Sequence, residues 1–247
     1  MVLESEKGAF ENIKNIVKPF LDIMVDIKKE GLEHVPADGA AILVGNHRSD
    51  MDPFIVASAV PRYISWIAAE YTERIPIFKN LVRETGVIPM DIHGNVSVSS
   101  IKRLMSVLRG GEILGIFPEG HDYMVRNDFA GPMVDFHDGF GVFAYRSKTP
   151  IIPFALIPLE ETIETIPIHA RIRSMIGLPD EVCHIPHRVQ YKSVQIAFAP
   201  PLDMTEFRKT PEKVAVPEIT RVVRATMQDL QIRHGMFPAA NAAPGPG

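Results

Sequence analysis

Apolar residues recur at three- and four-residue steps across residues 13–27 (Ile13, Ile16, Val17, Phe20, Leu21, Met24, Ile27), while Lys14, Lys18, Asp22, Asp26 and Lys28 take the opposite side. That is the helical period, and it predicts an amphipathic N-terminal helix within residues 1–30. The mixed charge on its polar face favours packing on a core over immersion in lipid. Past Gly31 the pattern alternates between short apolar runs and helical stretches. Strands are predicted at residues 32–35, 41–44, 63–68, 86–90, 113–117, 150–158 and 194–198. Helices are predicted from Asp52, read as N-cap with Pro53 at the first position, through Val60. A further helix covers residues 97–109, with Val98, Ile101, Met105 and Leu108 on its apolar face and Gly110-Gly111 as its stop. A last one covers 217–234, with Ile219, Val222, Val223, Met227 and Leu230 inward.

Strands alternating with helices, without internal repeat or linker, predict one α/β domain over residues 31–235, a mixed central sheet flanked by helices. Residues 159–192, rich in proline and histidine, read as an excursion from the core, and 236–247, ending Ala-Ala-Pro-Gly-Pro-Gly, as a disordered tail. Trp66 falls on a buried-type strand and reads as core.

Composition narrows the function classes. Among 247 residues 46% are hydrophobic and the net charge is -4, so no polycation is available and a nucleic-acid partner is excluded on charge. The single cysteine, Cys183, permits neither an internal disulfide nor a Cys-x-x-Cys site, which fits a reducing, cytoplasmic compartment. The acidic start Met-Val-Leu-Glu-Ser-Glu lacks the features of a signal peptide. No run of about eighteen apolar residues is present, so membrane contact is expected from one side only.

Two strand ends carry the candidate chemistry. The run 41–44 delivers Asn46-His47-Arg48-Ser49-Asp50-Met51-Asp52, placing a histidine and a carboxylate at a strand exit, where α/β sheets put their sites. A histidine held by a carboxylate suits general-base work, since the carboxylate fixes the tautomer and stabilises the imidazolium. The spacing alone is weak, and a bare helix cap explains Asp52 equally well. The second strand end is Phe117-Pro118-Glu119-Gly120, where Glu119 is placed to hydrogen-bond an acceptor hydroxyl and backbone amides around Gly120 to hold an anion.

With Gly86-Val87-Ile88-Pro89-Met90-Asp91 and Ile151-Ile152-Pro153, these segments make four blocks in a fixed order. The chain thereby resembles the glycerolipid acyltransferase family, typified by bacterial 1-acylglycerol-3-phosphate acyltransferase, from about residue 31 to 202. The resemblance implies a glycerol-3-phosphate acyltransferase-like fold and transfer of a fatty acyl group from coenzyme A or acyl carrier protein to a lipid hydroxyl, with no metal or cofactor. It implies His47 as base and Asp52 as its partner, with Asn46, Arg48, Glu119 and Gly120 binding substrate.

The acceptor the family implies, 1-acylglycerol-3-phosphate, meets three departures. Ile92 stands where an Arg usually follows Asp91, His121-Asp122 replace a Thr-Arg, and Phe136-His137-Asp138-Gly139 lacks the usual Lys. Either His93, His121, Arg126 or His137 grips the phosphate instead, or the acceptor carries none, as a glycolipid would. A reading from another class takes His47, Asp50, Asp52, Glu119, His121 and Asp122 as ligands of a metal-dependent hydrolase. Peripheral association with the inner face of a membrane is expected through Lys7, Lys14, Lys18, Lys28 and Lys29, and through residues 166–178 with Arg171 and Arg173.

Overall fold

The computed structural model describes residues 2–74, 76–91, 97–120, 133–165 and 187–236. Seven strands form one sheet in the order β1-β7-β6-β2-β5-β3-β4: β1 Asp26–Glu30, β2 Ala41–Gly45, β3 Ile64–Ala69, β4 Ile88–Met90, β5 Ile113–Ile116, β6 Ile151–Thr165 and β7 His187–Phe198. Every pairing is parallel except the β6–β7 hairpin. The helices are α1 Glu4–Met24, α2 Asp52–Ala59, α3 Pro76–Glu84, α4 Val98–Arg109, α5 Gly139–Ser147, α6 Met204–Phe207 and α7 Glu212–Arg233. The mixed α/β sheet with flanking helices is the architecture expected from the alternation of periods.

The centre of the sheet follows directly from composition. All five residues of β2 and all four of β5 are buried, as a continuous apolar run must be when helices cover both faces. Gly45 ends β2 where a Cβ would lie 2.1 Å from the Phe154 ring, and Gly115 in β5 leaves room for Trp66. Trp66 is core, as predicted. Because β2 and β5 run parallel as neighbours, their C-terminal ends bring residues 46–52 and 117–120 to the same edge of the sheet.

Several local expectations are corrected. The N-terminal helix stops at Met24, short of Ile27, because Val25 is already extended and residues 26–30 pair with β7. Residues 32–35 form no strand. Gly31 adopts φ 69°, where any Cβ would meet the Phe198 carbonyl, and the chain turns through Leu32–His34 instead. Helix α4 buries Ser100, Leu104, Val107 and Leu108, leaving Val98 and Ile101 exposed. Helix α7 begins five residues before Pro217. Strands β6 and β7 reach into the stretch read as an excursion, pairing Glu161 with Tyr191 and Thr162 with Gln190 after an irregularity at Glu160.

Helix α1 docks on the domain through Phe10, which meets Tyr63 edge-on at 5.1 Å, and Leu21, together with Lys7–Glu112 (2.6 Å) and a Glu6–Arg103 pair. A second apolar stripe on the same helix stays outside: Ile16, Phe20, Ile23 and Met24 are 64–84% exposed. The sequence period merged these two faces into one. Among the described residues no helix is long and apolar enough to cross a membrane.

Candidate active site

His47 leaves β2 and its Nδ1 lies 2.8 Å from Asp52 Oδ2. Asp52 is wholly buried, and the same oxygen accepts the backbone N–H groups of Arg48 (2.6 Å) and Ser49 (2.8 Å). Its other oxygen accepts the hydroxyl of Tyr191 at 2.9 Å. Two backbone amides, a phenol and an imidazole N–H give both oxygens of this buried carboxylate hydrogen-bond donors. Helix α2 is therefore not capped by Asp52; the residue before its first turn is Met51, and the carboxylate faces back into the loop. With Nδ1–H donated to Asp52, Nε2 carries the lone pair able to take a proton.

The His47 ring stacks on Phe117 with centroids 4.3 Å apart, and Phe117 stacks on Trp66 at 5.0 Å and 3°. The stack fixes the imidazole plane from beneath. Glu119 ties the same strand end to the histidine: one oxygen accepts the His47 amide at 2.8 Å and the other the Val134 amide at 3.3 Å. It is 1% exposed, and burial pushes its carboxyl up to about 7 against the pull of those two amides.

The expected substrate-binding residues are thus mostly engaged inside the protein. Asn46 donates to the Leu156 carbonyl (3.0 Å) and accepts the Leu156 N–H (2.8 Å), clipping the loop to β6. Arg48 forms a two-pronged pair with Glu161, its Nε at 2.8 Å, and is buried. Gly120 donates its N–H to the Phe117 carbonyl at 3.1 Å and turns the chain with φ 58° against the His137 ring. Glu119 bonds the His47 amide, and Gly120 closes the turn that follows β5. His137 lies beside this turn, while Ile92, His93, His121, Asp122, Arg126 and residues 166–178 lie outside the described residues.

Sequence reasoning missed Tyr191, Glu161 and the ring of Phe117. The first two sit on the hairpin 110–140 residues downstream of the loop they hold, where no local pattern marks them. Ser49 adds a third link, its hydroxyl donating to the Val189 carbonyl at 2.8 Å. The metal-hydrolase reading gains nothing here: among the described residues no three His, Cys, Asp or Glu side chains group as metal ligands, and the Asp52 and Glu119 oxygens are taken by N–H and O–H donors.

Residues 26–157 match the Acyltransferase family model, more than half of the chain. The chain belongs to the acyltransferase family. An uncharacterized protein of Mycobacterium tuberculosis is 24% identical over 244 residues, covering 90% of this chain and 65% of that protein. The 1-acyl-sn-glycerol-3-phosphate acyltransferase of Borreliella burgdorferi is 33% identical over 129 residues, 51% of this chain and 49% of that one. The enzyme of the same name from Helicobacter pylori is 29% identical over 133 residues, 53% and 54% of the two chains. This chain thus spans from about half to about two thirds of the length of these relatives. In fold it is similar to the crystal structure of the 1-acyl-sn-glycerophosphate acyltransferase PlsC of Thermotoga maritima, with a TM-score of 0.60 at 18% identity, covering 93% of this chain and 84% of that chain. The acyltransferase match ends within β6, so Glu161 and Tyr191 stand beyond it.

The buried Glu119 makes stability depend on pH. Its folded carboxyl sits at about 7 against an ordinary 4.5, so its favourable contribution is complete below the lower value and is lost as pH rises through the higher one. At about 1.4 kcal/mol per pH unit the loss is on the order of 3 kcal/mol. Glu119→Gln removes that titration. The expected result is a melting temperature that falls less between pH 5 and pH 8 (both about) in the variant than in the parent, by thermal denaturation; equal falls would contradict it.

Proposed function

We propose that this acyltransferase carries a fatty acyl group from a thioester, on coenzyme A or acyl carrier protein, to a glycerolipid hydroxyl. The observation that carries the proposal is the His47–Asp52 pair, with Asp52 gathering four donors. Nε2 of His47 takes the hydroxyl proton as the alcohol oxygen attacks the thioester carbonyl. The carbon–sulfur bond then breaks, and the departing thiolate recovers the proton from the imidazolium. A thioester is already activated, so alignment and proton removal suffice without a covalent enzyme intermediate, metal or bound cofactor. Asp52 stabilises the imidazolium, and the Phe117 face does the same.

The acceptor we assign is 1-acylglycerol-3-phosphate, the substrate in the names of the Borreliella and Helicobacter relatives. One observation favours a second reading: Arg48, the guanidinium next to the histidine, is neutralised by Glu161, which suits an acceptor without phosphate. Incubation with labelled acyl thioester and a whole lipid extract separates the two. An acylated product bearing phosphate supports the first reading, and an acylated neutral lipid or glycolipid the second. Thioester hydrolysis with no acylated lipid would overturn both.

The enzyme works, in this proposal, at the inner face of a membrane with the stripe Ile16, Phe20, Ile23 and Met24 of α1 lying in the lipid interface. Phe20→Glu with Ile23→Glu removes two large apolar side chains from that contact, each contributing about 1.5–3 kcal/mol when fully buried. Sedimentation with anionic vesicles is expected to fall at least about tenfold, with turnover of a short-chain soluble acceptor retained. Unchanged sedimentation would place the contact elsewhere.

A further inference from the structure

Asp52 Oδ2 is defined by three donors, all from its own loop: His47 Nδ1, Arg48 N and Ser49 N. Those contacts hold the carboxylate by one oxygen only, and because the terminal torsion of an aspartate is soft, a swing about Cβ–Cγ would carry both oxygens away together. The fourth donor opposes that swing from the other oxygen. Tyr191, on β7 and itself buried, places its hydroxyl 2.9 Å from Oδ1. Burial, with Asp52 adding to it, pushes the Tyr191 hydroxyl well above the usual tyrosine range, so it keeps its proton and acts toward the carboxylate only as donor.

We propose that Tyr191 is a positioning residue for the proton-abstraction step, its hydroxyl holding Asp52 in the rotation that keeps Oδ2 on Nδ1 of His47. The inference rests on His47 being the base. It adds a contribution from a strand beyond the family match, since β7 begins at His187. The other charged groups facing this cluster are separately tied: Arg48 to Glu161 of β6, and Glu119, from the turn after β5, to the His47 and Val134 amides. A phenyl ring in place of the phenol keeps the packing and removes one hydrogen bond to a buried carboxylate.

The test compares Tyr191→Phe, Ser49→Ala and His47→Ala with the parent, each by kcat and KM across pH and by thermal melting. For Tyr191→Phe the expected result is a kcat lowered about tenfold, the effect of one hydrogen bond to a charged group, with KM within about twofold. The acid limb of the kcat profile moves upward, because a carboxylate with one donor fewer is more basic and holds the imidazolium more firmly. Ser49→Ala breaks a different bond between loop and hairpin, the one to the Val189 carbonyl, and should lower melting. A Tyr191→Phe enzyme with parental kcat and parental acid limb overturns the proposal, as does a lowered kcat whose limb stays put. If Tyr191→Phe does not fold, 3-fluorotyrosine installed at position 191 decides: its more acidic phenol donates more strongly, so the limb should move downward, and an unmoved limb overturns the proposal. His47→Ala separates the two levels. Inactive His47→Ala beside unaffected Tyr191→Phe removes the role of Tyr191 alone, whereas His47→Ala at the parental rate removes the base reading and this proposal with it.

Discussion

Replacement of His47 by alanine is expected to lower acyl transfer by about two to four orders of magnitude, the range of a positioned general base. The ring is held by Asp52 at Nδ1 and by the Phe117 face beneath, and the backbone of the residue by Glu119 at its amide. Alanine keeps the backbone contact to Glu119 and removes the group that takes the proton. Single-turnover measurement with saturating acyl thioester reads the chemical step directly. A rate within about tenfold of the parent would move the proton transfer to another residue.

The second large effect belongs to Asp52. In Asp52→Asn the amide oxygen can still accept from the Arg48 and Ser49 amides, and the amide nitrogen can donate to the Tyr191 oxygen, so the hydrogen-bond count is preserved. What disappears is the charge that favours the imidazolium, and the neutral amide oxygen left on Nδ1 is a weaker acceptor to hold the tautomer. Activity is expected to fall by about two to four orders of magnitude, with a stability loss of about 1.5–3 kcal/mol for the weakened hydrogen bonds. Asp52→Ala leaves four buried donors without an acceptor and should destabilise by more, about 3–5 kcal/mol. Denaturant melts of both variants beside their rates check the pair; an asparagine variant with parental activity would leave Asp52 a purely structural carboxylate.

The sheet and the location of the site are legible in the sequence because both depend on local pattern. Ala41-Ile-Leu-Val44 and Ile113-Leu-Gly-Ile116 are apolar runs of strand length, and each delivers its motif at the C-terminal end of a parallel strand. The function of individual motif residues was less readable. Arg48 beside a histidine looks like a cation ready for an anion, but its partner Glu161 lies 113 residues on, and nothing near Arg48 announces it. Glu119 reads as a ligand for an acceptor, and nothing near it in sequence announces that its two oxygens lie on the His47 and Val134 amides. At α4 helical periodicity is right about the helix and about Leu108, but Val98 and Ile101 of the same stripe are exposed while Ser100, Leu104 and Val107 are buried. Tyr191 escaped notice because a tyrosine on a strand signals only packing.

The ties between residues 46–52 and the hairpin also set an order in time. A chain leaving the ribosome presents His47 early, but the Leu156, Glu161, Val189 and Tyr191 partners of its loop are 110–140 residues behind. At translation speeds of about 5–20 residues per second, that is roughly 5–30 s during which the loop has no hairpin to close on. A nascent chain therefore completes the contacts of its His47–Asp52 loop late, when β7 inserts between β1 and β6.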